Sequence, residues 1–309
     1  MTESKWDLTK FLTDFMLGGT AGAIAKTLAA PIERVKLLLQ TQDVNVRLES
    51  RKYKGIGDCF IRCIKEEGTL SLWRGNTVNV VRYFPTQALN FSFKDFYGKF
   101  NKYGHKDEKI KFFLGNLFTG GAAGATSLLF VYPLDFARTR LGVDIGRASN
   151  ERQFTSTWGC LTKIFKSDGI LGLYRGFNIS VIGIFVYRAF YFGGYDAGKM
   201  LMFGSKEKAD ESNILIRFMF AQFITTSSET LAYPLDTVRR RLMMQSGRSD
   251  TIYEGTIDCF KKIYVKEGGA AFFKGNFSNI VRSIGSSLVL VLYDEFQKIF
   301  GANRKKAIA

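Results

Sequence analysis

The phrase proline–x–acid–x–x–base occurs three times in this chain of 309 residues: PIERVK from Pro31, PLDFAR from Pro133 and PLDTVR from Pro234. The spacings are 102 and 101 residues. A second phrase, aromatic–base–Gly, follows each one, as WRG at Trp73, YRG at Tyr174 and FKG at Phe273. Between them lie EEG at 66–68, SDG at 167–169 and KEG at 266–268, and Cys59, Cys160 and Cys259 keep the same period. A threefold internal repeat constrains the fold more than any local propensity, because each third has to build the same unit.

Each third reads alike. A long helix ends in the proline phrase (11–40, 112–141, 213–244), a polar loop and a short amphipathic helix follow, and a second long helix comes after the aromatic phrase (76–99, 177–199, 276–299). The assignments rest on 3.6-residue periodicity and length, and only four prolines interrupt the chain. One domain over 1–309 is expected, with repeats at 8–104, 109–204 and 212–304.

A mean hydropathy of −0.03 suggests a soluble protein. Only the run at 112–134 is uncharged over the roughly 18 to 20 residues that a membrane span needs. The other long segments carry Lys26, Arg82, Arg188, Glu229 and Arg282. These are single charges in apolar surroundings, and GGTAG (18–22) and GGAAG (120–124) match small-residue interfaces between membrane helices. Ionisable groups inside membrane helices face the bundle interior or a wet cavity. The reading is therefore an all-α membrane protein with six transmembrane helices around a water-filled cavity.

The faces agree. Lys26, Glu33, Lys36 and Gln40 share one side of the first helix, Arg82 and Asn90 one side of the second long helix, and Tyr187, Tyr191 and Tyr195 step by four in the fourth. Each proline phrase carries an acid and, three residues later, a base: Glu33 and Lys36, Asp135 and Arg138, Asp236 and Arg239. Under threefold symmetry these converge in a ring, where the acid of one repeat meets the base of the next and closes one mouth.

The net charge of +16 implies an anionic partner. Nucleic acid is excluded as that partner, because the arginines are isolated in apolar helices instead of clustered on soluble elements. No nucleophile–base pairing supports an enzyme. Four cysteines and the single His105 form no metal-ligand pattern, so neither a metal nor a cofactor is expected. The start, MTESKWDLTK, reads as neither a signal nor a transit peptide.

At these residues the chain resembles the mitochondrial carrier family over essentially its whole length. Within it, RRRLMMQ (Arg239, Arg240, Arg241, Leu242, Met243, Met244 and Gln245) is similar to the RRRMMM signature of members that exchange ADP for ATP. PIERVKLLLQTQ, RYFPTQALNFSFKD, FVYPLDFARTRL and VLVLYDEF are similar as well. The resemblance implies a monomeric antiporter exchanging ADP for ATP across the mitochondrial inner membrane, with both termini on the intermembrane-space side and the short helices on the matrix side. A related nucleotide carrier of a mitochondrion-derived organelle, or a proton-leak carrier, is the alternative.

Carried over residue by residue, the resemblance implies a matrix gate pairing Glu33 with Arg138, Asp135 with Arg239 and Asp236 with Lys36, braced by Gln40. It implies a substrate site of Lys26, Arg82, Asn90, Gly183, Ile184, Tyr187 and Arg282. Counting nine on from each aromatic of the second phrase gives Arg82, Gly183 and Arg282. Two cationic forks suit phosphates, and the glycine leaves room for a flat purine beside Ile184 and Tyr187; the competing reading is that the two arginines pair with carboxylates. A cytoplasmic gate would use Asp95, Asp196, Lys199, Asp294 and Gln297, with Asp95–Lys199 as its one ion pair. The aromatic phrases (Trp73, Arg74, Gly75; Tyr174, Arg175, Gly176; Phe273, Lys274, Gly275) resemble cardiolipin sites, where helix-start N–H groups meet a headgroup phosphate. The companion phrases YKG (53–55) and YEG (253–255) fit that reading, whereas FTS (154–156) departs from it. Arg240 is surplus to the repeat and is expected to attract phosphate at the matrix mouth or anionic lipid. Glu229, five residues before Pro234 as Lys26 is before Pro31, is expected to pair with a nearby cation such as Lys26 or to be protonated.

Overall fold

A computed structural model describes residues 8–48, 50–100, 109–148, 151–204 and 214–284. In chain order the helices are α1 (Leu8–Thr41), α2 (Ile56–Arg62), α3 (Asn76–Gly98), α4 (Lys109–Gly142), α5 (Thr157–Leu173), α6 (Phe177–Phe203), α7 (Ile214–Gln245), α8 (Thr256–Glu267) and α9, described over 276–284. No strand occurs among the described residues. The sixth long helix, expected over 276–299, lies outside them beyond 284. Each helix that carries a proline phrase runs straight through Pro31, Pro133 or Pro234 with several turns on either side.

The long helices pack in sequence, α1 on α3, α3 on α4, α4 on α6 and α6 on α7. The three helices that carry a proline phrase also touch one another, α1 with α4, α4 with α7 and α7 with α1. Small residues set the close approaches. A Cβ on Gly19 or Gly22 would strike Phe84 or Tyr83 of α3, and one on Gly121 would strike Phe185 of α6.

The glycine of the second phrase shows how the repeats lock together. Gly75, Gly176 and Gly275 have φ of 78°, 83° and 83°, a conformation that L side chains disfavour. A Cβ there would stand 2.9 Å from the carbonyl oxygen of Arg138, 3.0 Å from that of Arg239 and 3.0 Å from that of Lys36. Each is the base of the next repeat's proline phrase. The second phrase of one repeat is thus seated on the first phrase of the next.

The apolar core lies beside the short helices, around Leu38, Cys59, Val238, Cys259 and Ile263 and around Tyr132, Phe136, Cys160 and Met243. All four cysteines are buried free thiols. The outer faces carry exposed apolar stripes stepping by four: Ile24 and Leu28; Ile110, Leu114 and Phe118; Leu215, Met219 and Phe223. By length and composition two helices among the described residues, 110–142 and 177–195, are apolar enough to cross a bilayer.

Candidate transport site

The three proline phrases meet in a ring of ion pairs. Arg138 donates to Glu33, Arg239 donates to Asp135, and Lys36 Nζ lies 3.1 Å from Asp236. Each pair joins the acid of one repeat to the base of the next. Gln40 Nε2 donates to Asp236 (3.3 Å) and to Thr237 Oγ1 (3.0 Å). Tyr132 and Tyr233, each just before a proline, set their rings under Arg239 and Lys36, 5.4 and 4.9 Å away.

The consecutive arginines go to three different places, as a rotation of about 100° per residue requires. Arg239 enters the ring. Arg241 is fully buried and donates to Glu267 and, at 3.0 Å, to Asp43. Arg240 corrects the expectation of a mouth-facing or lipid-facing charge. It is buried inside the ring, 3.6 Å from Asp135 and 3.4 Å from Asp236, and also donates to Thr139. Leu242, Met243 and Met244 fill the adjacent core.

Beyond the ring the bundle opens into two adjoining lobes of about 520 and 330 Å³, which share Tyr187, Ala232 and Asp236. Arg82, Asn90, Gly183 and Ile184 line the larger lobe, Lys26 and Arg282 the smaller, and Tyr187 both. Tyr187, Tyr191 and Tyr195 stack in succession at 5.8 and 6.1 Å. Both cavity arginines sit on carboxylates: Arg82 3.5 Å from Asp135, and Arg282 3.1 Å from Glu229. Glu229 therefore pairs with Arg282 of its own repeat and not with Lys26, which stands over the Tyr83 ring at 5.1 Å. The reason is local, since α7 and α9 belong to one repeat and Asn279 of α9 also donates to Glu229 (2.8 Å).

At the opposite end Asp95 is exposed, and no ion pair joins it to Lys199, which lies over the Tyr195 ring at 5.0 Å. Asp294, Gln297 and the Asp196 side chain lie outside the described residues.

The bases of the aromatic phrases each pair with a nearby acid. Arg74 donates to Glu67 and to the Asp144 carbonyl (3.1 Å), Arg175 lies 3.3 Å from Asp168, and Lys274 lies 3.2 Å from Glu267. Each acid comes from the EEG, SDG or KEG phrase, brought back by a glycine at positive φ (Gly68, Gly169, Gly268). Trp73 Nε1 donates to the Thr27 carbonyl and the Tyr174 hydroxyl to the Leu129 carbonyl, both at 2.8 Å, so these aromatics pin the phrase to the preceding helix. Burial alone would raise the Asp43 carboxyl, but hydrogen bonds from its neighbours, Lys274 and Lys52 among them, outweigh it and hold Asp43 below the usual carboxylate range.

Several contributors escaped the sequence reading. Asn79 donates to Glu33 (3.0 Å), and Asn279 accepts from Lys36 (3.1 Å); both stand six residues after the phrase aromatic, a count that would have found them. Arg188, expected to face the cavity but given no role in the site, lines the larger lobe against Gly124 and forms no ion pair among the described residues. Gln42, Asp144 and Gln245, eleven after each proline, accept the backbone N–H of Tyr53, Phe154 and Tyr253.

A cavity closed at one end by a threefold ring of ion pairs defines a solute carrier built from three repeats. The chain belongs to the mitochondrial carrier family, whose model, described as mitochondrial carrier protein, matches residues 7–104, 110–206 and 210–304. It is 56% identical over 301 residues to a mitochondrial substrate carrier family protein, ancA, of Dictyostelium discoideum, covering 97% of this chain and 96% of that one. It is 57% identical to ADP/ATP translocase 4 of Mus musculus (95% and 91% covered) and 56% identical to ADP/ATP translocase 3 of Bos taurus (94% and 97% covered).

Proposed function

We propose that this chain is an ADP/ATP antiporter of the mitochondrial inner membrane, a monomer with six membrane-spanning helices. It is read as one carrier domain over 1–309 with repeats at 8–104, 109–204 and 212–304, both termini facing the intermembrane space. The observation that carries the reading is the pairing of Arg82 and Arg282 with Gly183 at repeat-equivalent positions around a cavity that ends on the ring. The translocase names of the relatives support it, and the exposed apolar stripes support the membrane placement.

In this reading the polyphosphate enters against Lys26, Arg82 and Arg282, and the purine lies on Tyr187 beside Gly183 and Ile184, with Asn90 within the same lobe. Three ring acids lie within ion-pair distance of five bases, Lys36, Arg82, Arg138, Arg239 and Arg240. That excess of cations attracts phosphate down to the ring. When phosphate draws Arg82 away, Asp135 loses one of its three partners and the matrix gate loosens where the substrate sits. Glu33, Lys36, Gln40, Asp135, Arg138, Asp236 and Arg239 are the gate residues. Asp95, Asp196, Lys199, Asp294 and Gln297 form the weaker gate at the other mouth. The helix starts behind Gly75, Gly176 and Gly275 are the cardiolipin sites, through backbone N–H groups.

ADP and ATP differ by about one charge, and one charge across 100 mV is worth roughly 2.3 kcal/mol, so exchange is electrogenic and favours ATP export from a negative matrix. The test is uptake of labelled ADP into liposomes holding the purified carrier. Uptake is expected only with nucleotide inside; equal uptake into nucleotide-free liposomes overturns the reading.

A further inference from the structure

The two cavity arginines are connected differently. Arg82 reaches Asp135, the ring acid of the following repeat, at 3.5 Å. By the same symmetry Arg282 would reach Glu33. Its guanidinium lies instead on Glu229, with Nη2 3.1 Å from Oε1. Asn279 closes the cluster: its Nδ2 donates to Glu229 Oε2 at 2.8 Å, while its Oδ1 accepts from Arg282 Nε (3.3 Å) and from Lys36 Nζ (3.1 Å). Both carboxylate oxygens are thus held by donors, as two oxygens of a phosphate would be. At the equivalent position, five residues before the phrase proline, the other repeats hold Lys26 and Leu128. Repeat three alone brings an acid into the cavity there, and it does so on the cation that the substrate is expected to use.

We infer that Glu229 is a built-in competitor for the substrate's phosphate at Arg282, and that it sets this carrier's affinity for nucleotides and its preference between ADP and ATP. The inference rests on the antiport reading. A nucleotide reaching Arg282 displaces the carboxylate, which keeps only the Asn279 amide and now faces the anion that displaced it. The penalty grows with the charge of that anion, so ATP is disfavoured more than ADP. Asn279 also ties the displaced acid to Lys36, so the exchange of anions at Arg282 is felt by one ring pair and not by the other two.

The experiment compares wild type, Glu229→Gln and Glu229→Asp in nucleotide-loaded liposomes, with KM and kcat read separately for ADP and ATP. Glu229→Gln should lower KM for ATP about tenfold, equivalent to 1.4 kcal/mol, lower that for ADP less, and change kcat little. Glu229→Asp, which keeps the charge, should return both values toward wild type; a merely structural glutamate would not give this split. A second arm measures thermal stabilisation of the detergent-solubilised carrier by inorganic tripolyphosphate, which should be greater for Glu229→Gln. Should Glu229→Gln fold poorly, Glu229→Ala carries the same expected sign. Unchanged or raised KM values, or equal stabilisation by tripolyphosphate, overturn the inference. If wild type exchanges no nucleotide, the antiport reading falls and the tripolyphosphate arm alone decides the role of Glu229.

Discussion

The ring and the cavity above it are made by the same helices of the same repeats, yet only the ring obeys the symmetry. Its three acids each meet a base of the next repeat, and the three glycines behind those bases share one conformation and one contact. One level up, the equivalent positions hold Lys26, Leu128 and Glu229, then Arg82, Gly183 and Arg282. Symmetric parts let three repeats move alike when a mouth opens. In the reading proposed above, asymmetric parts give an unsymmetrical solute a phosphate side and a base side. Even the ring departs from strict symmetry, through Arg240, which adds a third cation to Asp135, a second to Asp236 and none to Glu33.

That departure predicts the largest effect. Asp135 is shared by Arg82, Arg239 and Arg240, with its side chain almost fully buried. Asp135→Asn leaves the buried Arg240 and the half-buried Arg82 and Arg239 short of an acid, and breaking a buried pair from one side costs about 3–5 kcal/mol. Glu33→Gln removes an acid bound to one arginine and one asparagine and should cost clearly less. Thermal unfolding of both variants in detergent reads the difference; equal losses would mean that the ring is energetically symmetric and Arg240 idle.

The next effect lies in the cavity. Arg82→Ala and Arg282→Ala would each remove one of the phosphate contacts proposed above, about 1.5–3 kcal/mol, and ADP exchange should be lost in both while the fold survives. The two differ in the ring, because Arg82 touches Asp135 and Arg282 does not. Labelling of a cysteine placed at the matrix mouth should rise in Arg82→Ala and stay low in Arg282→Ala. Near-normal ADP exchange by either variant would move the substrate site elsewhere.

How much of this was legible follows from what spacing encodes. Repetition at 102 and 101 residues fixes which residues are equivalent, and equivalence plus a closed ring brings Glu33 to Arg138, Asp135 to Arg239 and Asp236 to Lys36. Helical periodicity gives the face on which a residue stands. It does not give the length of reach or the rotation of a neighbouring helix. Arg240 was misread because a long side chain can leave its own face. Glu229 does pair with a cation, but with Arg282 and not Lys26, because Arg282 and Asn279 come from a helix whose distance to α7 no spacing records. The ion pairs of the aromatic-phrase bases were not legible for a different reason. Their acids, Glu67, Asp168 and Glu267, precede them by seven residues across a glycine turn, where neither helix nor strand periodicity applies.

Those bases supply the smallest effect and the finest test of symmetry. Arg74 donates to Glu67, which also holds the buried Arg34 (2.9 Å), and to backbone carbonyls of the next repeat. Its replacement by alanine leaves a buried carboxylate with one partner fewer, the Asp144 carbonyl with Arg34 alone and the Gly146 carbonyl without its donor, a loss of about 1–3 kcal/mol. Arg175, at the equivalent place in repeat two, is 39% exposed and touches only Asp168 among the described acids. A solvated pair of that kind is worth at most ~1 kcal/mol and weakens with salt. Repeat two lacks the second buried arginine altogether, since Phe136 and Thr237 take the place of Arg34 in the other proline phrases. Arg74→Ala should therefore lower the unfolding temperature measurably at any ionic strength. Arg175→Ala should lower it slightly in dilute buffer and not at all in high salt. An equal fall in both, insensitive to salt, would show that repeat two is clamped as tightly as repeat one by contacts other than its ion pair.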